Sequence, residues 1–167
     1  MSDAANTPTP PAAPAPATGD LTDEVREQPT MPLEMPLASA EERESLEQLR
    51  KFLLVVHRGL LQAERTRYEK VRGRIDNNSA FLQLVINDPF FDWLRPMAQL
   101  VLLIDERSTD KKSPMGSAEA RSLYDRGRTL LRADAEGDAF QRLYFQALQH
   151  SPDLAVLTRQ VAGALSR

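Results

Sequence analysis

The stretch SAEERESLEQLRKFLLVVHRGLLQAE, residues 39–64, decides the fold class. Its apolar residues recur at alternating spacings of three and four, so they form one stripe along a helix. Ser39 and Glu42 have the spacing of a capping box, in which each side chain accepts a hydrogen bond from the other residue's amide. The sequence therefore predicts a long amphipathic helix over residues 40–72, with Gly73 after its end. The stripe consists of Leu46, Leu49, Leu53, Val56, Leu60 and Ala63.

Five further helix starts follow along the chain. Residues able to cap a helix lie at these starts, and two of them directly precede a proline, which fits the first helical turn. Pro96 cannot continue a helix that begins near Asp88, so we expect a kink or break there. The residues at the five starts are the group Asn77, Asn78 and Ser79, followed by Asp88, Ser117, Asp138 and Ser151.

These signals predict an all-α fold, a bundle of five or six helices with a long first helix. The apolar run over residues 81–86 is compatible with a strand, but no partner strand is evident, so we predict a short and mostly buried helix. Gly59 lies in the middle of the first helix. There it either costs about 1 kcal/mol relative to alanine or permits close approach of a neighbouring helix.

The first 38 residues differ in composition from the remainder. Eight of the twelve prolines lie there among Ala and Thr, which predicts a disordered tail over residues 1–38 and a helical bundle domain over residues 39–167. The tail carries six acids and one base, a net charge of −5, whereas the domain carries 20 bases and 18 acids, a net charge of +2. An alternative for the end of the tail is that its short apolar group docks on the bundle as an extended arm. This group is Met31, Leu33, Met35 and Leu37.

Composition also excludes several classes of protein. The chain has no cysteine, so disulfides, thiolate metal sites and cysteine nucleophiles are excluded. Its N-terminus lacks a secretion signal, and its longest wholly apolar runs have five residues, far short of a membrane span. We therefore expect a soluble, cytoplasmic protein with no membrane segment. The near-balanced charge of the domain does not by itself imply nucleic-acid binding.

Residues 87–97 concentrate two prolines, two phenylalanines and the only tryptophan. One interpretation is a binding surface formed by Phe91, Trp93 and Arg95 beside Asp88, because these residue types are common at interaction hot spots. The other is a corner between two helices that buries its large side chains, which the sequence favours because a small bundle needs them inside. Phe90 and Leu94 are four residues apart and are expected to share one helix face, whereas Phe91 and Trp93 point elsewhere.

His57, Glu64 and Tyr68 fall along one stripe beside the apolar face of the first helix. A histidine and carboxylates at helical spacing can bind a metal ion inside a bundle. His150 is the only other histidine, however, and the paired Glu-x-x-His motif of carboxylate-bridged metal bundles is absent. The sequence therefore favours a half-buried, hydrogen-bonded His57, with no metal and no cofactor.

Residues 65–74 carry five bases against one acid, with Tyr68 among them. Such a patch is compatible with phosphate binding. The same helix begins with several glutamates and ends with these bases, however, an arrangement that complements the helix dipole without any ligand. The bases are Arg65, Arg67, Lys70, Arg72 and Arg74.

Three segments carry a resemblance to known proteins: HRGLLQAER (residues 57–65), NDPFFDWLRP (residues 87–96) and IDE (residues 104–106). They are similar to small all-helical bacterial proteins that are usually described as hypothetical and have no established function. The resemblance covers roughly residues 45–150 and leaves out the tail. It implies a soluble, all-α bacterial protein and transfers no mechanism. The chain differs from hemerythrin-like bundles, because two histidines cannot supply that metal site.

The sequence lacks a glycine-rich phosphate loop, a Gly-x-Ser-x-Gly motif and a His-Glu-x-x-His motif. It therefore favours a non-catalytic protein-interaction or scaffold domain, whose partner is another protein or a second copy of the chain. The first alternative is a small-ligand- or metal-binding bundle, enzymatic or not, with a cleft near His57, Glu64 and residues 88–96. The second is weak nucleic-acid binding through residues 65–74.

Overall fold

The computed structural model describes residues 36–165, with only the backbone for residues 164 and 165. Within this range the only β-type pairing is an isolated bridge between Leu37 and Gly116. The predicted all-α bundle with a long first helix is therefore confirmed. The predicted tail up to residue 35, with Met31, Leu33 and Met35, lies outside the described residues. The helices are α1 (Ala40–Arg72), α2 (Asn78–Asn87), a 3-10 helix (Pro89–Leu94), α3 (Arg95–Thr109), α4 (Ser117–Leu130), α5 (Ala139–His150) and α6 (Pro152–Leu165).

Helix α1 has the predicted bounds because both of its ends are fixed by local chemistry. The amide of Glu42 donates to Ser39 Oγ at 3.1 Å and the amide of Ser39 donates to Glu42 Oε2 at 2.9 Å, which completes the capping box. The helix ends at Gly73, whose φ of 96° lies in the left-handed region that favours glycine. The predicted stripe is the centre of the core, because Leu46, Leu49, Leu53, Val56 and Leu60 are all at most 1 % exposed.

Helices α3, α4 and α6 pack around α1, and two glycines permit the closest approaches. A Cβ atom built on Gly127 of α4 lies 2.5 Å from Leu49 Cδ2, and one built on Gly59 of α1 lies 2.8 Å from Leu157 Cδ2 of α6. Neither position has room for a methyl group without movement of the neighbouring leucine. Close approach of a neighbouring helix is therefore the explanation for Gly59 in the middle of α1.

The segment that follows Asp88 is a 3-10 helix rather than an α-helix. Asp88 caps it, with Oδ1 accepting from the amide of Phe90 at 2.9 Å. With three residues per turn, residues three apart share a face. Phe91 and Leu94 therefore point into the core, 1 % and 2 % exposed, and the expectation that Phe90 and Leu94 share one helix face is wrong. Pro96 lies in the first turn of α3, which confirms the predicted break.

Helix α2 forms where predicted, but the prediction that it is mostly buried is wrong. None of its ten residues is buried, and Leu82 and Ile86 are 55 % and 52 % exposed. The physical reason is its peripheral position, because its main contact is with the short 3-10 helix.

Glu42 also joins the beginning of α1 to the beginning of α4. Its Oε1 accepts from Ser117 Oγ at 2.7 Å and from Arg121 Nε at 2.8 Å. The hydrogen bond from the backbone of Ser39 and those from Ser117 and Arg121 lower the pKa of Glu42 to about 2.

The last three residues assigned to the tail, Pro36 to Ala38, lie against the same end of the bundle. The amide of Ser117 donates to Pro36 O at 2.7 Å, and the amide of Ala38 donates to Met115 O at 2.9 Å. Ala38 is buried, whereas Leu37, the last residue of the predicted apolar arm, is 60 % exposed. No helix in the described part of the chain combines the length and the apolar character needed to cross a membrane.

We predict that Gly127→Ala lowers the free energy of unfolding by up to about 2 kcal/mol. The better helix propensity of alanine is worth about 1 kcal/mol. The new methyl group, however, displaces a fully buried Leu49, and overpacking of this kind costs roughly 1–3 kcal/mol. Gly163→Ala in α6 is the matched control, because a Cβ atom there meets nothing within 4 Å. Urea denaturation measures both variants, and equal stability of the two would contradict the predicted steric conflict.

Candidate functional site

The aromatic corner lies in the core. The ring of Phe91 stacks on Tyr68 at 5.5 Å between centroids and meets Phe81 and Phe90 edge-on at 5.7 Å and 5.1 Å. Phe91 is 1 % exposed and Tyr68 is 9 % exposed, so neither offers a surface to a partner. The corner fastens the end of α1 to the 3-10 helix and to α2, in agreement with the interpretation that the sequence favours.

Trp93 points away from this cluster and lines a cleft of about 470 Å³. Its ring lies 5.5 Å from that of Phe140 on α5, and its Nε1 is buried with no hydrogen-bond acceptor within reach in the described part of the chain. Four of the predicted candidates line this cleft, namely Glu64, Arg67, Lys70 and Trp93. The opposite wall comes from α5 and the beginning of α6, through Leu143, Gln146, Ala147, His150, Ser151, Pro152 and Asp153.

Glu64 is the only charged residue that is buried in residues 36–163, at 3 % exposure. Arg67 neutralises it, because Arg67 Nη2 and Nε donate to Glu64 Oε2 at 2.6 Å and 3.0 Å. The guanidinium group of Arg67 also lies 4.3 Å from the centroid of the Phe90 ring, within the range of a cation–π contact. Glu64 therefore already has a strong partner.

The cleft predicted near His57, Glu64 and residues 88–96 is not a single site. Asp88 and Tyr68 line a separate groove of about 640 Å³ between the end of α1 and α2, where Tyr68 Oη donates to Asp88 Oδ2 at 3.2 Å. Arg95 lies outside both cavities, where its Nη2 donates to Ile86 O at 3.0 Å and pairs with Asp92. His57 lines neither cavity.

His57 is half-buried on α1, and burial lowers its pKa below the ordinary value of 6.5. The predicted hydrogen bond of its ring is not seen in the described part of the chain. Among those same residues, no three His, Asp or Glu side chains lie close enough together to hold a metal ion.

The basic stretch is largely engaged with its own surroundings. Arg65 Nε pairs with Glu69 at 3.3 Å, and its Nη1 donates to Asn78 Oδ1 at 3.3 Å, which ties α1 to the first turn of α2. The guanidinium group of Arg72 lies 5.7 Å from the centroid of the Tyr68 ring. Arg67 binds Glu64, as described above. Of the five bases, Lys70, Arg72 and Arg74 have no ion pair with any described residue.

Sequence reasoning missed the outer face of α2, which we call the α2 face. It consists of Ser79, Leu82, Gln83 and Ile86, all exposed. The signal that reveals this face is the apolar run itself. Five of the six residues 81–86 are apolar, so apolar side chains lie on every side of the helix. A helix that is apolar on every side is expected to be buried on every side. Here the bundle covers only one side.

We predict that Arg67→Ala lowers the free energy of unfolding by about 2 kcal/mol, because it leaves the carboxylate of Glu64 buried without a charged partner. Adding Glu64→Leu in the double variant is expected to restore most of this loss, since no buried charge then remains. Arg58→Ala, at an exposed position of the same helix, is the control. Chemical denaturation of the four proteins checks the prediction, and a double variant as unstable as Arg67→Ala would refute it.

We predict that stability falls with acidification below pH 6.5 because of His57. Burial lowers the pKa of His57 in the folded state. Between this lowered pKa and 6.5, the unfolded chain therefore binds more protons than the folded chain. Each pH unit of acidification in that range lowers the free energy of unfolding by up to about 1.4 kcal/mol. His57→Leu is expected to flatten this slope, whereas His150→Gln, at an exposed position, is expected to keep it. Urea denaturation between pH 5.5 and 7.5 measures the slope, and an unchanged slope in His57→Leu would argue against this assignment.

Comparison of the chain with models of protein families, with curated proteins and with solved structures finds no match. The resemblance to small helical bacterial proteins therefore stays a prediction from the sequence.

Proposed function

We propose that the chain is a non-catalytic protein-interaction domain that docks a partner on the α2 face. The observation that supports the proposal is the combination of composition and exposure in α2. Its ten residues contain no charged side chain, and two of its six apolar residues, Leu82 and Ile86, are more than half exposed, while the other four pack against the core and are partly covered. Contiguous exposed apolar surface is a mark of interaction sites.

The chemistry of α2 also defines the kind of partner. The α2 face offers apolar side chains with neutral amide and hydroxyl groups beside them, and it offers no charge. A complementary partner presents an apolar, weakly charged helix face. Its contact residues are spaced one helical turn apart. Leu82 and Ile86, four residues apart, are the expected anchors.

Two alternatives from the sequence have weaker support. The cleft beside Trp93 offers a volume suited to a small ligand, but its buried carboxylate is already paired with Arg67. Nucleic-acid binding through residues 65–74 is weakened because Arg65 and Arg67 are neutralised by Glu69 and Glu64. A polyanion would therefore meet fewer free cations than the sequence indicates.

We predict that a photo-crosslinking amino acid at position 86 joins the chain to one discrete protein in the cells that express it. Leu82→Glu in the same chain is expected to abolish the product, because it places a charge in the centre of the α2 face. Leu102→Glu is the matched control, since Leu102 is 58 % exposed but lies on α3. Gel mobility and mass spectrometry identify the product. Crosslinking that Leu82→Glu leaves unchanged, or that occurs equally from position 102, would refute the proposal.

A further inference from the structure

We propose that the cleft beside Trp93 is a second binding site, which takes a small zwitterion with an ammonium group and a carboxylate group at opposite ends of an apolar body. None of the described residues that line the cleft belongs to α2, so this site is separate from the α2 face and does not rest on the proposed function. Its volume of about 470 Å³ lies within the range of small-molecule sites.

The charges that line the cleft divide into a closed pair and an open pair. Glu64 and Arg67 form the closed pair, because Arg67 Nη2 lies 2.6 Å from Glu64 Oε2. Lys70 and Asp153 form the open pair, since both are exposed and neither has an ion pair with a residue in the described part of the chain. The cleft therefore offers a ligand one cation and one anion, and these two charges cancel.

The open pair lies on opposite walls of the cleft. Lys70 is in the last turn of α1, and Asp153 is in the first turn of α6. Because the two side chains do not pair with each other, a ligand that reaches both has to carry its own charges apart. An anion alone is repelled by Asp153, and a cation alone is repelled by Lys70. A zwitterion with separated charges satisfies both, with its carboxylate toward Lys70 and its ammonium group toward Asp153.

The uncharged part of the lining suits the body of such a molecule. Ala63, Trp93 and Leu143 line the cleft and are half-buried, so methylene groups of a ligand would displace water from apolar surface there. Gln146 is exposed at the same cleft, and its side-chain amide can donate to a carboxylate.

The exposure of the two charges sets the expected affinity. An exposed ion pair contributes little, so we expect each charged end of the ligand to improve binding about fivefold. For a ligand of this size we expect a dissociation constant on the order of 1 mM.

Fluorescence titration of the purified full chain with 6-aminohexanoate tests the proposal. Trp93 is the only tryptophan of the chain and lies in the wall of the cleft, so its emission reports on occupancy. Isothermal titration calorimetry measures the same constant without relying on the indole. We expect saturable binding by both methods, and no saturation at about ten times the expected constant overturns the proposal.

Three matched probes test the class of ligand. Hexanoate lacks the ammonium group and pentylamine lacks the carboxylate, so each is expected to bind about fivefold more weakly than 6-aminohexanoate. Leucine is an isomer of 6-aminohexanoate with both charges on one carbon atom, and it is expected to bind more weakly because it cannot reach both walls. Equal affinity for the zwitterion and the two singly charged probes overturns the proposal, and leucine binding as tightly as 6-aminohexanoate overturns the bridging arrangement.

Two variants assign the charged ends to their residues. Lys70→Ala is expected to weaken 6-aminohexanoate about fivefold and to leave pentylamine unweakened, because pentylamine has no carboxylate to lose a partner. Asp153→Asn is expected to weaken 6-aminohexanoate by the same factor and to leave hexanoate unweakened. Both positions are exposed, so the fold does not depend on either side chain.

Lys112→Ala is the matched control, since Lys112 is exposed and lies in the loop between α3 and α4, outside the cleft. It is expected to bind 6-aminohexanoate like the wild type. A Lys70→Ala variant that binds 6-aminohexanoate as tightly as Lys112→Ala does, or an Asp153→Asn variant that weakens hexanoate as much as 6-aminohexanoate, overturns the assignment of the two ends.

Discussion

Burial of one stripe of α1 is the interaction on which the other helices depend. Five aliphatic side chains of α1 are at most 1 % exposed, and each contributes roughly 1.5–3 kcal/mol when it is fully buried. A helix gains most of its stability from such an amphipathic face rather than from intrinsic propensity. Because α3, α4 and α6 all pack on α1, the stripe also fixes the positions of these three helices. Gly59 and Gly127 set how closely α6 and α4 approach it.

At both ends of α1, charged residues attach neighbouring segments. Glu42 holds the beginning of α1 to Ser117 and Arg121 of α4. Near the other end, Arg65 and Glu69 hold the turn that leads into α2, with Glu69 accepting from the amide of Ile75 at 3.1 Å. The glutamate-rich beginning and arginine-rich end of the helix therefore serve the architecture of the chain, beyond their favourable interaction with the helix dipole.

Helix α2 is the part of the bundle where local sequence and tertiary packing disagree. Residues 81–86 have the composition of a core segment, yet the segment lies beside the 3-10 helix, where one side is covered and the other faces solvent. Exposed leucine and isoleucine side chains bring no benefit to an isolated chain. A conflict between the composition of a segment and its exposure is found mostly at functional sites. This supports a functional role for the α2 face.

The sequence by itself determined the elements whose signals are local. The capping box at Ser39, the caps at Asn77 and Asp138, the prolines at 89, 96 and 152 and the three-four spacing of α1 act over a few residues, and each forms as predicted. Tertiary structure alone decided which faces are covered. It buried Phe91 through the three-residue period of the 3-10 helix, separated Glu64 from Asp88 into two cavities, and left Leu82 exposed. These outcomes depend on where helices distant in sequence come to lie. The apolar pattern of a single helix specifies that a face is to be buried, but not whether the fold supplies a neighbour to bury it.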